Sequence, residues 1–113
     1  MPLSPLDIAQ KLREIAEDKK ANDIKLLEIT DLTVLSDYFL LCTANSTTHA
    51  RTLCDEMEFR LKELGLAVHH TEGRASNSWL LLDFGCAVAH IFLKETREFY
   101  NLDRLWADAK AVP

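Results

Sequence analysis

Apolar residues recur at helical spacing in two segments of the chain. The first segment covers residues 4–20, where Ser4, Pro5 and Asp7 are of the types that cap and begin a helix. The second runs to about Leu64, and Gly65 follows as a C-terminal stop. Its apolar stripe consists of Ala50, Leu53, Cys54, Met57, Leu61 and Leu64. This pattern predicts two amphipathic helices, the second with Phe59 off the stripe and exposed.

Short apolar runs between and after these helices predict strands. Residues 37–43 are almost continuously apolar, which is typical of a strand buried on both faces at the centre of a sheet. Gly85 separates two further runs and predicts a tight hairpin, and Tyr100 is expected at the start of a final helix. The predicted strands are residues 24–29, 37–43, 67–71, 79–84 and 86–93. The order helix, two strands, helix, three strands, helix predicts an α/β fold with a largely mixed sheet.

Length and charge narrow the class of protein. The 113 residues predict one domain, 1–113, with a single core. A formal net charge of −5 argues against a broad nucleic-acid surface and favours a basic partner. The three cysteines are widely spaced, which predicts buried free thiols in a reducing compartment and hence a cytoplasmic protein. No signal peptide and no membrane-spanning segment is expected.

Most of the residues that could form a metal, thiol or phosphate site are better explained as structural residues. The histidines and cysteines lack the spacing of a metal site, and the cysteines lie in predicted strands or on the helical stripe, so neither a metal nor a cofactor is expected. The loop of residues 44–48 precedes a helix but has no glycine for close phosphate contact, and the chain has no D-x-D pair to hold magnesium. These absences argue against an enzyme that acts on nucleotides.

Two further candidates lie in the predicted hairpin and the segment after it. Asp83 and His90 would come close across the hairpin, either as a catalytic pair or as a structural hydrogen bond; the structural reading is favoured because no nucleophile is nearby. Aromatic residues concentrate in the same region, and such side chains serve both cores and protein interfaces. Of these, Trp79 and Tyr100 are expected to show a face to solvent.

Four stretches in this order resemble the ribosomal silencing factor family (Iojap/RsfS). Residues 37–39 resemble its D-Y-F segment, and Ser46-Thr47 before a helix resembles its S-T-R-Q-like segment. Gly73 and residues 79–85 resemble its G…W-x-L-L-D-x-G motif. Residues 90–92 and 97–108 resemble its H-x-F…R-x-x-Y-x-L-[DE]-x-L-W-x-D signature. The resemblance covers nearly the whole chain.

The resemblance implies a fold and a function. It implies a mixed, mostly five-stranded sheet flanked by helices, related to nucleotidyltransferases but without their catalytic carboxylates. It also implies a non-enzymatic factor that binds the large ribosomal subunit through its ribosomal protein number fourteen, blocks joining of the small subunit and represses translation under nutrient limitation. A homodimer is expected when the protein is free, and no sequence-specific nucleic acid and no membrane is expected as a partner. The partner-binding residues so implied are Trp79, Leu81, Asp83, His90, Phe92, Glu98, Tyr100, Asp103 and Trp106.

Three positions depart from the family pattern. Cys86 replaces an Asp after the hairpin glycine, His49 replaces a Gln, and Asn45 replaces a Gly whose left-handed backbone angles Asn can also adopt. Two other functions remain open at this point. One is a nucleotidyltransferase-like nucleotide-binding protein or enzyme, and the other is a dimeric scaffold.

Overall fold

The structure, a computed structural model, describes residues 3–34, 36–101, 104 and 106–113. The predicted order of helices and strands is confirmed, and one further short strand lies near the C-terminus. The elements are α1 (Pro5–Asp18), β1 (Asn22–Glu28), β2 (Tyr38–Ala44), α2 (Thr47–Glu63), β3 (His70–Glu72), β4 (Trp79–Asp83), β5 (Ala87–Leu93), α3 (Lys94–Phe99) and β6 (Lys110–Ala111).

Both long helices begin at a capping serine. At α1 the Ser4 hydroxyl accepts from the Asp7 backbone N–H at 3.1 Å, and the Ser4 backbone N–H donates to the Asp7 carboxylate at 3.2 Å. At α2 the Ser46 hydroxyl accepts from the His49 backbone N–H at 3.0 Å. The predicted stripe of α2 is buried from Ala50 to Leu61, and Phe59 is exposed as predicted. In the described part of the chain, no helix is long and apolar enough to cross a membrane.

The described strands form one six-stranded sheet in the order β3-β4-β5-β2-β1-β6. β2 and β5 pair in parallel at its centre, and the other neighbours pair antiparallel. The sheet has one strand more than the mostly five-stranded sheet implied by the resemblance. The extra strand, β6, has two exposed residues and therefore no hydrophobic pattern that the sequence could show.

Alternate residues of each central strand serve opposite faces of the sheet. One face packs against α1 and α2 and forms the main core, to which the strands contribute Leu26, Leu40, Cys42, Leu80, Leu82, Ala89 and Ile91. The other face has a smaller apolar cluster, whose buried members are Leu27, Ile29, Leu41 and Phe92. The predicted burial on both faces is confirmed for residues 40–43, whereas residues 37–39 are half-buried.

The segment after α3 covers part of the second face. β6 pairs with β1, and the Val112 backbone N–H donates to the Leu26 carbonyl at 2.8 Å. Arg13 of α1 donates to the carbonyls of Val112 and Pro113 at 3.0 and 2.9 Å. Trp106 and Ala109 lie against the apolar cluster. Among the described residues, the part of this face formed by β4 is only partly covered, since Trp79 and Leu81 are half-buried.

The final helix predicted from Tyr100 onward falls partly on residues outside the described ones, and Tyr100 itself is the C-terminal cap of an earlier helix, α3. α3 comprises residues that the charge pattern indicated only as the end of a strand. The physical reason is Arg97, a charged residue that is buried because its guanidinium donates to the Asp23 carbonyl and the Thr43 hydroxyl, both at 2.8 Å. These bonds hold α3 against the ends of β1 and β2.

Candidate protein-binding face

A continuous chain of aromatic side chains crosses the open face of the sheet. Each ring contacts the next, with centroids 4.7 to 6.3 Å apart. In spatial order the chain is Trp106, Phe39, His90, Trp79, Tyr100 and Phe99. The geometries are tilted or edge-to-face, which is the arrangement that aromatic quadrupoles favour. We call these six residues the aromatic face.

The strand register explains why these residues meet. β4 and β5 pair so that Trp79 lies opposite Phe92 and Leu81 opposite His90. Because side chains alternate along a strand, all four point to the side away from α1 and α2. β2 pairs in parallel with β5 and brings Phe39 beside His90. The hairpin therefore supplies two of the six residues of the aromatic face, and β2 adds a third.

One end of the aromatic face is open to solvent. Phe99 is 81% exposed and Tyr100 is 58% exposed, and their rings pack edge-to-face at 4.9 Å. Tyr100 in turn contacts Trp79, which is half-buried, at 5.8 Å. The predicted exposure of Trp79 and Tyr100 is confirmed. Exposed aromatic rings held by buried ones are the kind of anchor that protein interfaces use.

The backbone that presents Trp79 requires a glycine. Gly73 has φ +89°, and a Cβ added there would lie 1.9 Å from the Trp79 carbonyl oxygen. No side chain fits at that distance, and the backbone angle is one that L residues rarely adopt. This explains why Gly73 precedes the tryptophan in the motif.

His90 lies beneath the aromatic face. It is only 5% exposed, and its Nδ1 accepts a hydrogen bond from the Trp79 indole Nε1–H at 3.2 Å. The ring proton is therefore on Nε2, a buried atom without a hydrogen-bond partner among the described residues. Burial lowers the pKa of His90 to about 4, so the imidazole is neutral near pH 7.

A cavity of about 290 Å³ opens beside this histidine. Its lining is partly apolar and partly polar. The apolar and aromatic residues are Phe39, Leu81, Val88 and Trp106, and the polar ones are Thr33, Ser36, His70, Glu72, Asp83 and His90. The cavity is suited to an apolar or neutral group carried by a basic partner.

Asp83 and His90 each have a separate structural hydrogen bond. One carboxylate oxygen of Asp83 accepts from the Gly85 backbone N–H at 2.7 Å and so closes the hairpin turn. His90 bonds Trp79 instead. The geometry therefore agrees with the structural reading of these two residues and offers no acid–base pair.

The remaining residues implied by the resemblance are distributed between core and surface. Phe92 is 1% exposed and packs under Trp79, so it supports the aromatic face from the core. Leu81 and Trp106 are half-buried. Glu98 is exposed and lines a separate groove with Asp23 and Arg97. Asp103 lies outside the described residues.

Phe99 is the residue that the sequence interpretation missed. It is the most exposed aromatic side chain described, yet it was not among the expected partner-binding residues. Its place at the end of a six-residue helix gave no periodic signal that distinguishes an exposed from a buried ring. The aromatic pair Phe99-Tyr100 was the available hint.

The loop before α2 is occupied by internal contacts. The Asn45 backbone N–H donates to His49 Nδ1 at 2.9 Å, and His49 Nε2–H donates to the Lys19 carbonyl at 2.8 Å. Asn45 also accepts from the Asn22 side chain, and it is not among the residues with positive φ. The two departures at Asn45 and His49 therefore form one local network, and the expected left-handed angles are not used.

The described residues offer no reactive thiol or metal cluster. Burial raises the pKa of the Cys42 thiol to about 12 and raises that of Cys54 as well. Cys86 is half-buried, and burial also raises its pKa. Within the described part of the chain, no group of three His, Cys, Asp or Glu residues is placed to hold a metal ion.

Comparisons with known proteins agree on one family. The family model described as "Ribosomal silencing factor during starvation" matches residues 2–113. The chain is 32% identical to a ribosomal silencing factor of Halalkalibacterium halodurans, over 97% of this chain and 94% of that protein. It is 38% identical to one from Bacillus subtilis, over 82% and 79% of the two chains. It is also 34% identical to a chloroplastic Iojap protein of Arabidopsis thaliana, covering 95% of this chain and 44% of that protein.

Solved structures agree with the fold. A crystal structure of a protein from Chromobacterium violaceum has a TM-score of 0.89 and 30% identity, covering 93% of this chain and 88% of that one. A second, from Bacillus halodurans, has a TM-score of 0.80 and 30% identity, covering 96% and 95%.

Proposed function

This chain belongs to the ribosomal silencing factor family, and from that premise we propose that it binds the large ribosomal subunit through its ribosomal protein number fourteen. In this proposal the bound protein occupies the surface that meets the small subunit. It thereby blocks subunit joining and represses translation when nutrients are limiting. No bond is made or broken in this mechanism.

The observation that carries the proposal is the aromatic face. Phe99 and Tyr100 are exposed, yet they are held through Trp79 to a buried histidine and a buried strand. A few aromatic side chains at the centre of an interface typically supply most of its free energy, each about 2 kcal/mol or more. Pre-ordered rings lose little conformational entropy when the partner binds.

The negative charge of the protein, including acidic residues next to the aromatic face, favours a basic partner there. The formal net charge of the chain is −5, and Glu72 and Asp83 are among the residues that line the cavity next to the aromatic face. Ribosomal proteins that contact RNA are rich in Lys and Arg, so their exposed surfaces offer complementary charges. Such complementarity speeds association and orients the partner more than it adds affinity.

The protein is large enough to prevent subunit joining by its presence alone. The described residues extend about 39 × 31 × 23 Å. Two ribosomal subunits that must come into van der Waals contact cannot do so around a body of this thickness. Occupancy of the site is therefore enough to prevent joining.

We propose in addition that the free protein forms a homodimer through the aromatic face. A standard interface covers about 800 Å² on each partner, roughly an eighth of the 6568 Å² surface of the chain. Both partners would use the same exposed rings, so dimerisation and ribosome binding are expected to compete.

The test is co-sedimentation of the purified protein with separated large and small subunits. We expect binding to the large subunit alone, weakened about thirtyfold by Tyr100→Ala, which corresponds to about 2 kcal/mol. Phe59→Ala is the matched control because Phe59 is 59% exposed but lies on α2, on the opposite side of the sheet. Equal effects of the two substitutions, or binding to neither subunit, would contradict the proposal.

A further inference from the structure

The orientation of the Trp79 ring is fixed by a residue that is almost fully buried. The backbone of β4 fixes only where the side chain of Trp79 begins. Its indole also contacts Phe92 and Tyr100, but apolar ring contacts of this kind allow rotation and sliding. The one directional contact of the indole is its Nε1–H bond to His90 Nδ1.

We propose that His90 is a positioning residue for partner binding, which holds the Trp79 indole in its binding orientation by accepting the Nε1–H bond. His90 acts through Trp79, since only 5% of its own surface is exposed. This inference rests on the proposed function and deepens it, because it assigns to a buried residue a role in binding the large subunit.

The position of His90 in the aromatic face suits this role. Its ring lies between Trp79 on one side and Phe39 on the other, with ring centroids 6.3 and 4.7 Å away. It also stacks on Phe92, with ring planes only 7° apart. The imidazole is thus fixed on three sides, and a fixed acceptor is what a precise indole orientation requires.

The Trp79 indole N–H needs a hydrogen-bond acceptor at the place where His90 puts Nδ1. Asn places an amide oxygen close to where His places Nδ1, so His90→Asn keeps an acceptor but loses the ring. His90→Phe keeps a ring but has no acceptor. These two variants therefore separate the hydrogen bond from ring packing.

We expect His90→Phe to weaken binding to the large subunit by up to about tenfold. That factor is the loss expected when a rotamer-rich interface side chain must be ordered on binding, about 0.5–1.5 kcal/mol. His90→Asn is expected to recover part of the loss. Trp79→Phe, which keeps an aromatic ring without the N–H donor, is expected to lose binding to a similar degree.

A double-mutant cycle distinguishes positioning from general stability. In the Trp79→Phe background, His90→Phe should cause no further loss of affinity, because no indole remains to be held. A positioning role also predicts a change in the indole N–H resonance of Trp79 in His90→Phe, observed by NMR of ¹⁵N-labelled protein. The chain has two tryptophans, so a Trp106→Phe spectrum assigns the peak. Thermal unfolding of each variant shows that it is folded.

The outcomes separate the two proposals. Suppose that wild type binds the large subunit. If His90→Phe binds equally well, or if His90→Phe lowers the affinity by the same factor with and without Trp79→Phe, the role of His90 is refuted and the proposed function stands. If His90→Asn binds no better than His90→Phe, the acceptor is not what matters and the role is again refuted. If wild type binds neither subunit, the proposed function fails and the role of His90 fails with it.

Discussion

The buried imidazole of His90 should make the protein less stable as the pH falls from 7 toward 4. Burial lowers the pKa of His90 from 6.5 to about 4 in the folded protein. Between these values the unfolded chain binds a proton that the folded protein does not. Stability therefore rises with pH across this window, is fully present above pH 6.5, and is lost as the pH falls toward 4.

The magnitude follows from the size of the pKa shift. One pKa unit corresponds to 1.36 kcal/mol, so the full contribution is about 3 kcal/mol. At pH 5 the folded imidazole is still mostly neutral while the unfolded one is charged, so about 2 kcal/mol of that contribution is lost relative to pH 8. This loss is a substantial fraction of the stability of a domain of this size.

The assay is urea unfolding of wild type and His90→Phe at several pH values between 8 and 4.5. Other groups also titrate in this range, but they do so in both proteins and cancel in the difference. The phenylalanine side chain carries no proton, so the difference between the two unfolding free energies reports His90 alone. We expect that difference to shift by about 2 kcal/mol in favour of the variant between pH 8 and pH 5.

Parallel pH profiles for the two proteins would refute the reasoning. They would mean that the imidazole of His90 can be protonated in the folded state at little cost. The burial and the acceptor role of Nδ1 could not then both be correct, because a protonated ring has no acceptor for the Trp79 indole.

Three further predictions concern backbone, core and assembly. Gly73→Ala should lower the free energy of unfolding by at least about 2 kcal/mol, since its Cβ would overlap the Trp79 carbonyl, and an unchanged urea midpoint would show that the turn can shift. Arg97→Met should lower it by about 3 kcal/mol because it leaves the buried Thr43 hydroxyl and the part-buried Asp23 carbonyl without the charged donor, whereas Arg51→Met, which breaks an exposed ion pair, should change it by less than about 0.5 kcal/mol. Added large subunits should convert the free homodimer into bound monomer in analytical ultracentrifugation, and an intact dimer on the subunit would rule out competition.

Long, regular elements were predictable from the sequence. The stripe from Ala50 to Leu61 repeats over several turns, and each repeat adds to the evidence for a helix. The two apolar runs around Gly85 predicted a hairpin because a tight turn leaves them no other partner nearby. Such signals are local, and the sequence alone contains them.

Elements that depend on distant contacts were not predictable. β6 exists because Lys110 and Ala111 pair with β1, and neither residue is buried. α3 begins without a side-chain cap, and its one buried side chain is the charged Arg97. The stabilising partners of Arg97 are Asp23 and Thr43, which are far away in the chain, so its burial has no local signal.

The sequence indicated where the candidate site lies, but not which of its side chains are buried and which are exposed. Trp79 and Tyr100 were expected to reach solvent, and they do. The depth of His90 depends on a hydrogen bond across the hairpin and on Phe39 from another strand, so an alternating pattern could not distinguish it from a surface residue. The same holds for Phe92, whose burial depends on Trp79 above it.

The parallel pairing of β2 with β5 has a consequence for how the protein folds. Tyr38 pairs with Ala87, so the centre of the sheet joins segments almost half a chain length apart. Closing a loop of that length costs about 3 kcal/mol of chain entropy before the contacts compensate for it, which favours slow folding. The β1–β2 and β4–β5 hairpins are local and are expected to form first, each with one part of the aromatic face. Phe39 meets His90 only when the two hairpins dock, so a chain in which they have not docked cannot present the complete aromatic face.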